Sequence, residues 1–128
     1  MDLSVVLIFH NSTAYIKACI ESVIESCKSV SYEIIAVDNG SDDDSLNQIS
    51  DIEDRLILIK KSENLGVSKA RNQALNKAAG DVIWILDIDT IANENAFKKL
   101  YNHILSNQKT GLCSCELRNQ DGRIQNSC

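Results

Sequence analysis

Proline is absent from this sequence of 128 residues, a shortage that assigns no function by itself. Other absences exclude whole classes. There is no basic tract, and the 13 Lys and Arg against 18 Asp and Glu leave a net charge of −5. Nucleic acid, which needs a cationic footprint on its protein partner, is excluded. No apolar run exceeds about five residues, whereas a membrane-spanning helix needs ~20. No signal peptide is expected, because the chain starts directly on a strand pattern. Gly-x-Ser-x-Gly, the phosphate loop Gly-x-x-x-x-Gly-Lys and a Cys/His pair with local logic are all missing. So is a Gly-x-Gly-x-x-Gly after the first strand, which removes a dinucleotide reading. Five cysteines stand at 19, 27, 113, 115 and 128, an odd number without zinc-site spacing. Cys113 and Cys115 share one face of an expected strand and read as small buried residues. A reducing cytoplasm suits this usage.

What is present is ordinary for one globular domain, with 44% hydrophobic and 24% charged residues. Leu3 to Phe9, Tyr32 to Val37, Leu56 to Ile59 and Asp81 to Leu86 read as strands. Gly111 to Leu117 reads as a fifth, and Asp121-Gly122 as a hairpin turn into a return strand at Arg123 to Gln125. Between them lie helical patterns. Ile16, Ile20, Val23, Ile24 and Cys27 form one stripe, with Ser12 or Thr13 as its cap. Asp42 to Ser50 is a short helix with Leu46 and Ile49 inward. Ser68 to Ala79 is closed by Gly80 as a helix stop. Asn93 caps a last helix with Phe97, Leu100, Tyr101, Ile104 and Leu105 inward. Strand–helix alternation predicts an α/β fold with a mostly parallel sheet and helices on both faces. The chain stops as a hairpin begins, so a truncated domain is expected, the first part of something larger.

The chemistry concentrates at Val82-Ile83-Trp84-Ile85-Leu86-Asp87-Ile88-Asp89-Thr90. A buried strand is expected to end there in two carboxylates separated by one residue. Ligands of open α/β sheets bind at the carboxyl ends of strands. Two acids at that edge repel unless a cation or hydroxyls share them, so a divalent metal and a phosphate-bearing ligand are the first expectation. Asp38 ends the second strand at the same edge, either as a ligand for a ribose or base or as a turn-former bonded to backbone near Gly40. Arg71 sits one turn into the helix after Gly66, within reach of a base or phosphate. His10 and Asn11 leave the first strand at that edge too. Asp42, Asp43 and Asp44 read as an acidic first helical turn.

Four patches recur in order: Ser4-Val5-Val6-Leu7-Ile8-Phe9-His10-Asn11; Glu33-Ile34-Ile35-Ala36-Val37-Asp38-Asn39-Gly40-Ser41-Asp42; Asn64-Leu65-Gly66 through Ala70-Arg71-Asn72; and Leu86-Asp87-Ile88-Asp89. Together they resemble the family 2 glycosyltransferases, inverting enzymes of GT-A (Rossmann-like) fold. The tail Asp121-Gly122-Arg123-Ile124-Gln125 is similar to the rhamnosyltransferase-like branch. The resemblance implies a nucleotide-diphospho-sugar, UDP- or dTDP-linked, held by Phe9, His10, Asp38, Asn39, Arg71 and Asp87. It implies Asp87 and Asp89 as a DXD motif for Mg²⁺ or Mn²⁺ bridging the diphosphate. His10 stands where members often carry Tyr, and Asn39 where many carry a second Asp; the Asn carbonyl can still accept a base N–H.

Cell-surface polysaccharide synthesis on a glycan or lipid-linked acceptor is the implied setting, in the cytoplasm at the inner face of the membrane. The family's catalytic base lies downstream, in an acceptor half absent here, so residues 1–128 are expected to bind donor and to be inactive alone. Self-association through uncovered apolar surface is a further expectation. Two alternatives stand beside this reading. One is a haloacid dehalogenase-type phosphatase, although Thr90 follows Asp89 one place too early for its Asp-x-Asp-x-Thr signature. The other is a non-catalytic nucleotide-binding fragment.

Overall fold

β-Branched and aliphatic runs form four parallel strands in the computed structural model, which describes residues 1–125. They are β1 (Leu3–Phe9), β2 (Tyr32–Asp38), β3 (Ile57–Lys60) and β4 (Val82–Asp87). The order across the sheet is β3-β2-β1-β4. The chain steps outward from β1 to β2 to β3, then returns past β1 to place β4 on its other side. Connection direction therefore reverses between β1 and β4, which makes that gap the topological switch point where open α/β sheets bind ligands.

Three helices accompany the sheet in Met1–Asn93, one of two compact units: α1 (Ile16–Ser26), α2 (Ser45–Gln48) and α3 (Val67–Leu75). Side chains alternate between the faces of a strand. Val6, Ile35 and Val37 share one face and form a core with Ala70 and Ala74 of α3, with Ile8 and Ile59 packed against it. Leu3, Val5, Leu7 and Phe9, fully buried, point to the opposite face. Right-handed crossovers put α1 there, with Ile16, Cys19, Ile20 and Val23 buried. The expected α/β architecture with helices on both faces is what forms.

At the amino edge of the sheet a clasp around the buried Ser4 ties β1, β2 and the approach to β4. Ser4 Oγ donates to Glu33 Oε1, which also accepts the Ala79 N–H at 2.7 Å, while Gly80 N–H donates to Ser4 Oγ at 2.8 Å. A Cβ on Gly80 would lie 2.4 Å from the Ser4 nitrogen. Gly80 is thus not the helix stop that the sequence suggested. The third helix already ends at Leu75, and Gly80 is small because backbone passes against it.

Several other expectations are corrected. β4 is no buried strand: as the sheet's edge it leaves Ile83 and Ile85 39% and 45% exposed. Neither Ser12 nor Thr13 caps α1 by a side chain; the Ser12 carbonyl instead accepts the Tyr15 and Ile16 N–H groups. The helix expected over Asp42 to Ser50 shrinks to Ser45–Gln48, with Leu46 half-buried and Ile49 buried.

The second unit begins at Glu94 with α4 (Glu94–Ser106), where Phe97 and Tyr101 stack with ring centres 5.5 Å apart. Of its expected stripe, Leu105 is exposed rather than inward. Gly111 to Leu117 forms no strand. Among the described residues, an isolated antiparallel bridge joins Arg118 and Ile124 around the turn expected at Asp121-Gly122, with Gly122 at φ +83°. Alternation alone does not make a strand when no neighbour offers a ladder. Cys128 lies outside the described residues. Among the described residues, no helix is long and apolar enough to cross a membrane.

Candidate functional site

The sequence places its acids at strand ends, and the register decides which of them meet. Asp87 pairs with Ile8 and Asp38 with Phe9, so the two carboxylates flank the end of β1 but project to opposite faces. Asp87 projects toward the face that carries α3. There Arg71 Nη2 lies 3.7 Å from Asp87 Oδ1. Arg71 is one helical turn beyond Val67, the first residue of α3, and its Nε is buried without a hydrogen-bond partner.

A cleft of about 300 Å³ opens at this point, in the gap between the ends of β1 and β4. Arg71, Asp87 and Asp89 line it together with Asn11, Tyr15 and Val67. Its charged part is one guanidinium facing two carboxylates; its apolar part includes the exposed side chains of Tyr15 and Val67, beside Ile8, Leu86 and Ile88.

The acidic turn is supported from α1. Thr90 N–H donates to the Asp87 carbonyl at 3.1 Å, closing the turn on itself. Cys19 Sγ donates to the same carbonyl at 3.8 Å, and Ser22 Oγ accepts the Ala92 N–H at 2.9 Å. Burial, reinforced by the negative charges of Asp89 and Asp87, pushes the Cys19 thiol up to about 12. The thiol therefore stays protonated and able to donate.

The other rim is built by two loops that the sequence does not show to be partners. Asn11 adopts φ +49° after β1 and pairs reciprocally with Asp42: Nδ2 donates to Asp42 Oδ1 at 2.7 Å, and Oδ1 accepts the Asp42 N–H at 2.9 Å. Asn11 N–H also donates to Ser41 Oγ at 3.0 Å. Thr13 donates to Asp43 Oδ2 through both its N–H and its hydroxyl, and Asp43 Oδ1 accepts the Ser45 N–H. Partial desolvation opposes the Asp43 charge, but the Ser45 and Thr13 hydrogen bonds outweigh it and hold the carboxyl well below the usual carboxylate range. Asp42 and Asp43 therefore fasten the loop after β1 instead of opening a helix.

Of the residues singled out in sequence, Arg71, Asp87 and Asp89 come together. His10 is exposed beside the cleft's Asn11, and Phe9 is buried in the sheet. Asp38 is buried outside the cleft lining, its Oδ1 accepting the Ser41 N–H at 2.9 Å as a turn-former does. Asn39 is buried and bonded to Asn64 and Leu65. Sequence reasoning overlooked Tyr15 and Val67, for which no local signal exists, and gave no role of its own to Asn64, quoted only within the patch that runs to Asn72.

Among the described residues no group of three His, Cys, Asp or Glu could hold a metal. Two carboxylates at a polar cleft nonetheless fit Mg²⁺ or Mn²⁺, which bind through one or two protein acids and complete their shell with substrate phosphates and water.

Residues 4–126 match the family model described as glycosyl transferase family 2. Glycosyltransferase GlyG of Streptococcus pneumoniae is 33% identical over 106 residues, covering 80% of this chain and 35% of that protein. The poly(ribitol-phosphate) beta-glucosyltransferase of Bacillus spizizenii is 33% identical over 113 residues, 84% of this chain and 18% of that one. Among solved structures, S. aureus TarS 1-349 in complex with UDP-GlcNAc superposes with a TM-score of 0.71 at 27% identity, over 83% of this chain and 32% of that one. The chain thus spans about a third or less of the length of these relatives.

Proposed function

The chain belongs to glycosyl transferase family 2, and from that premise we propose that its cleft holds the diphosphate of a nucleotide-diphospho-sugar for inverting transfer to an acceptor hydroxyl. The observation that carries the reading is the meeting of Arg71, Asp87 and Asp89 in one hollow at the switch point between β1 and β4. The phosphatase alternative loses its ground with the family match.

Arg71 presents planar donors to phosphate oxygens and supplies positive charge where the leaving nucleoside diphosphate gains negative charge. Its buried Nε has no partner among the described residues, which suits an anion arriving at this point. Asp87 and Asp89 are the pair that holds Mg²⁺ or Mn²⁺, and the bound ion supplies charge neutralisation at the diphosphate. The base is assigned to the ends of β1 and β2, where His10 is exposed and Phe9 and Asp38 are buried. UDP- and dTDP-linked donors are favoured; the TarS relative binds UDP-GlcNAc.

The acceptor in the full protein is a glycan or a lipid-linked acceptor of cell-surface polysaccharide synthesis, in keeping with a relative named poly(ribitol-phosphate) beta-glucosyltransferase. Its binding and the catalytic base are assigned to sequence beyond this chain, which acts as the donor-binding half. A cytoplasmic setting at the inner face of the membrane completes the reading; Cys19, Cys27, Cys113 and Cys115 are all free thiols.

Titration calorimetry of the chain with UDP in the presence and absence of Mn²⁺ tests the reading. Saturable binding that requires the ion, and that Asp89→Asn abolishes, is the expected result. UDP heats that are identical with and without Mn²⁺, or unchanged in Asp89→Asn, would overturn it.

A further inference from the structure

The geometry points to Asn39 as a positioning residue, paired with Asn64 in a latch that sets where α3 begins and hence where Arg71 stands. The inference rests on the donor-binding reading and changes the part Asn39 plays in it: from contact with the base to placement of the diphosphate-binding cation.

Asn39 is only 2% exposed, and both ends of its amide are occupied. Its Oδ1 accepts the Leu65 N–H at 3.1 Å, and its Nδ2 donates to Asn64 Oδ1 at 2.9 Å. Asn64 Oδ1 also accepts the Gly66 N–H at 2.9 Å. Two donors converge on that oxygen, so the Asn64 amide cannot turn over without losing both bonds. The Asn39 backbone is fixed as well, its N–H donating to the Phe9 carbonyl at 2.8 Å. The end of the sheet thus reaches the loop before α3 through one buried side chain.

The loop is also tied at its start, where Lys61 N–H donates to the Asp38 carbonyl at 2.9 Å. Gly66 precedes α3 at φ +81°, and no side chain caps the helix. Close packing completes the latch: Gly40, at φ +80°, lies against the Glu63–Asn64 backbone, where a Cβ would come within 2.6 Å of the Glu63 carbonyl carbon. From Gly66 the helix runs rigidly through Val67 to Arg71, both in the cleft lining, and Arg71 faces Asp87 at 3.7 Å. A displaced helix start would move the guanidinium away from the ligand's phosphates with no change at the base.

This distinguishes a latch from a base ligand. The test compares Asn39→Ala, Asn64→Ala and the double variant for binding of UDP and of inorganic pyrophosphate, each with Mn²⁺. Exchange of the Leu65 and Gly66 amides is followed by NMR on the ligand-free chain. A net hydrogen bond sets the scale at about tenfold or less per variant. The latch predicts equal losses of up to about tenfold for UDP and pyrophosphate in each single variant, a less than additive loss in the double variant, and faster exchange at both amides. Asn64→Ala, at an exposed position, keeps the test open should Asn39→Ala fail to fold. Losses confined to UDP, or additive losses, or unchanged exchange at Leu65 and Gly66 would overturn the latch while leaving the donor reading intact. A wild-type chain that binds neither ligand would overturn the donor reading and this role with it.

Discussion

Arg71 and Asp87 face each other across 3.7 Å, a cation from α3 against the last residue of β4, and the pair is wet: 78% of the Asp87 side chain is exposed. Exposed ion pairs contribute about 0–1 kcal/mol to folding. Arg71→Ala should therefore leave the urea midpoint almost unchanged while lowering affinity for UDP with Mn²⁺ by at least about tenfold, the scale of one lost charge-assisted contact. Calorimetry beside a denaturation curve separates the two effects. A large loss of stability with unchanged affinity would make Arg71 a fold residue.

Gly80 behaves in the opposite way. Its added Cβ meets the backbone of β1, which cannot swing aside as a long side chain could. Gly80→Ala should cost about 1–3 kcal/mol by overpacking, read from the urea midpoint, with donor affinity per folded molecule unchanged. Ser4, Glu33 and Gly80 all lie at the amino edge of the sheet, the cleft at its carboxyl edge.

Asp43 ties acid stability to the rim. Its folded pKa lies below the ordinary 3.8, so its share of stability is complete above that value and is lost as pH falls below it toward the folded pKa. Asp51, lowered by its hydrogen bond from Lys17, acts with the same sign. Thermal melts below pH 4 should show a steeper decline for the wild-type chain than for Asp43→Asn. Parallel curves for the two proteins would mean that the Thr13 and Ser45 contacts do not hold the carboxylate in solution.

Local pattern was enough to locate β1 with its full boundaries and β2, β3 and β4 to within one residue, because each is a short apolar run between turn residues. The carboxyl edge followed from the alternation, and with it Arg71, Asp87 and Asp89. What remained hidden depends on partners far along the chain. Asp42 and Asp43 look like a helix start until Asn11 and Thr13, some thirty positions earlier, are seen to bond them. Asn39 gives no hint in the sequence that Asn64, twenty-five positions later, is its partner. Gly111 to Leu117 has a strand's alternation, but no ladder forms there. Asp38 and Asp87 share an edge in sequence logic, yet a one-residue offset in register turns them to different sides.

The Ser4–Glu33–Gly80 clasp gives protein engineers a free hand. Heat-hardening substitutions can be concentrated around it, four residues of strand away from the cleft, and screened by melting temperature alone. Libraries aimed at sugar or nucleotide preference can be confined to the far end, and gains from the two campaigns should then combine without penalty.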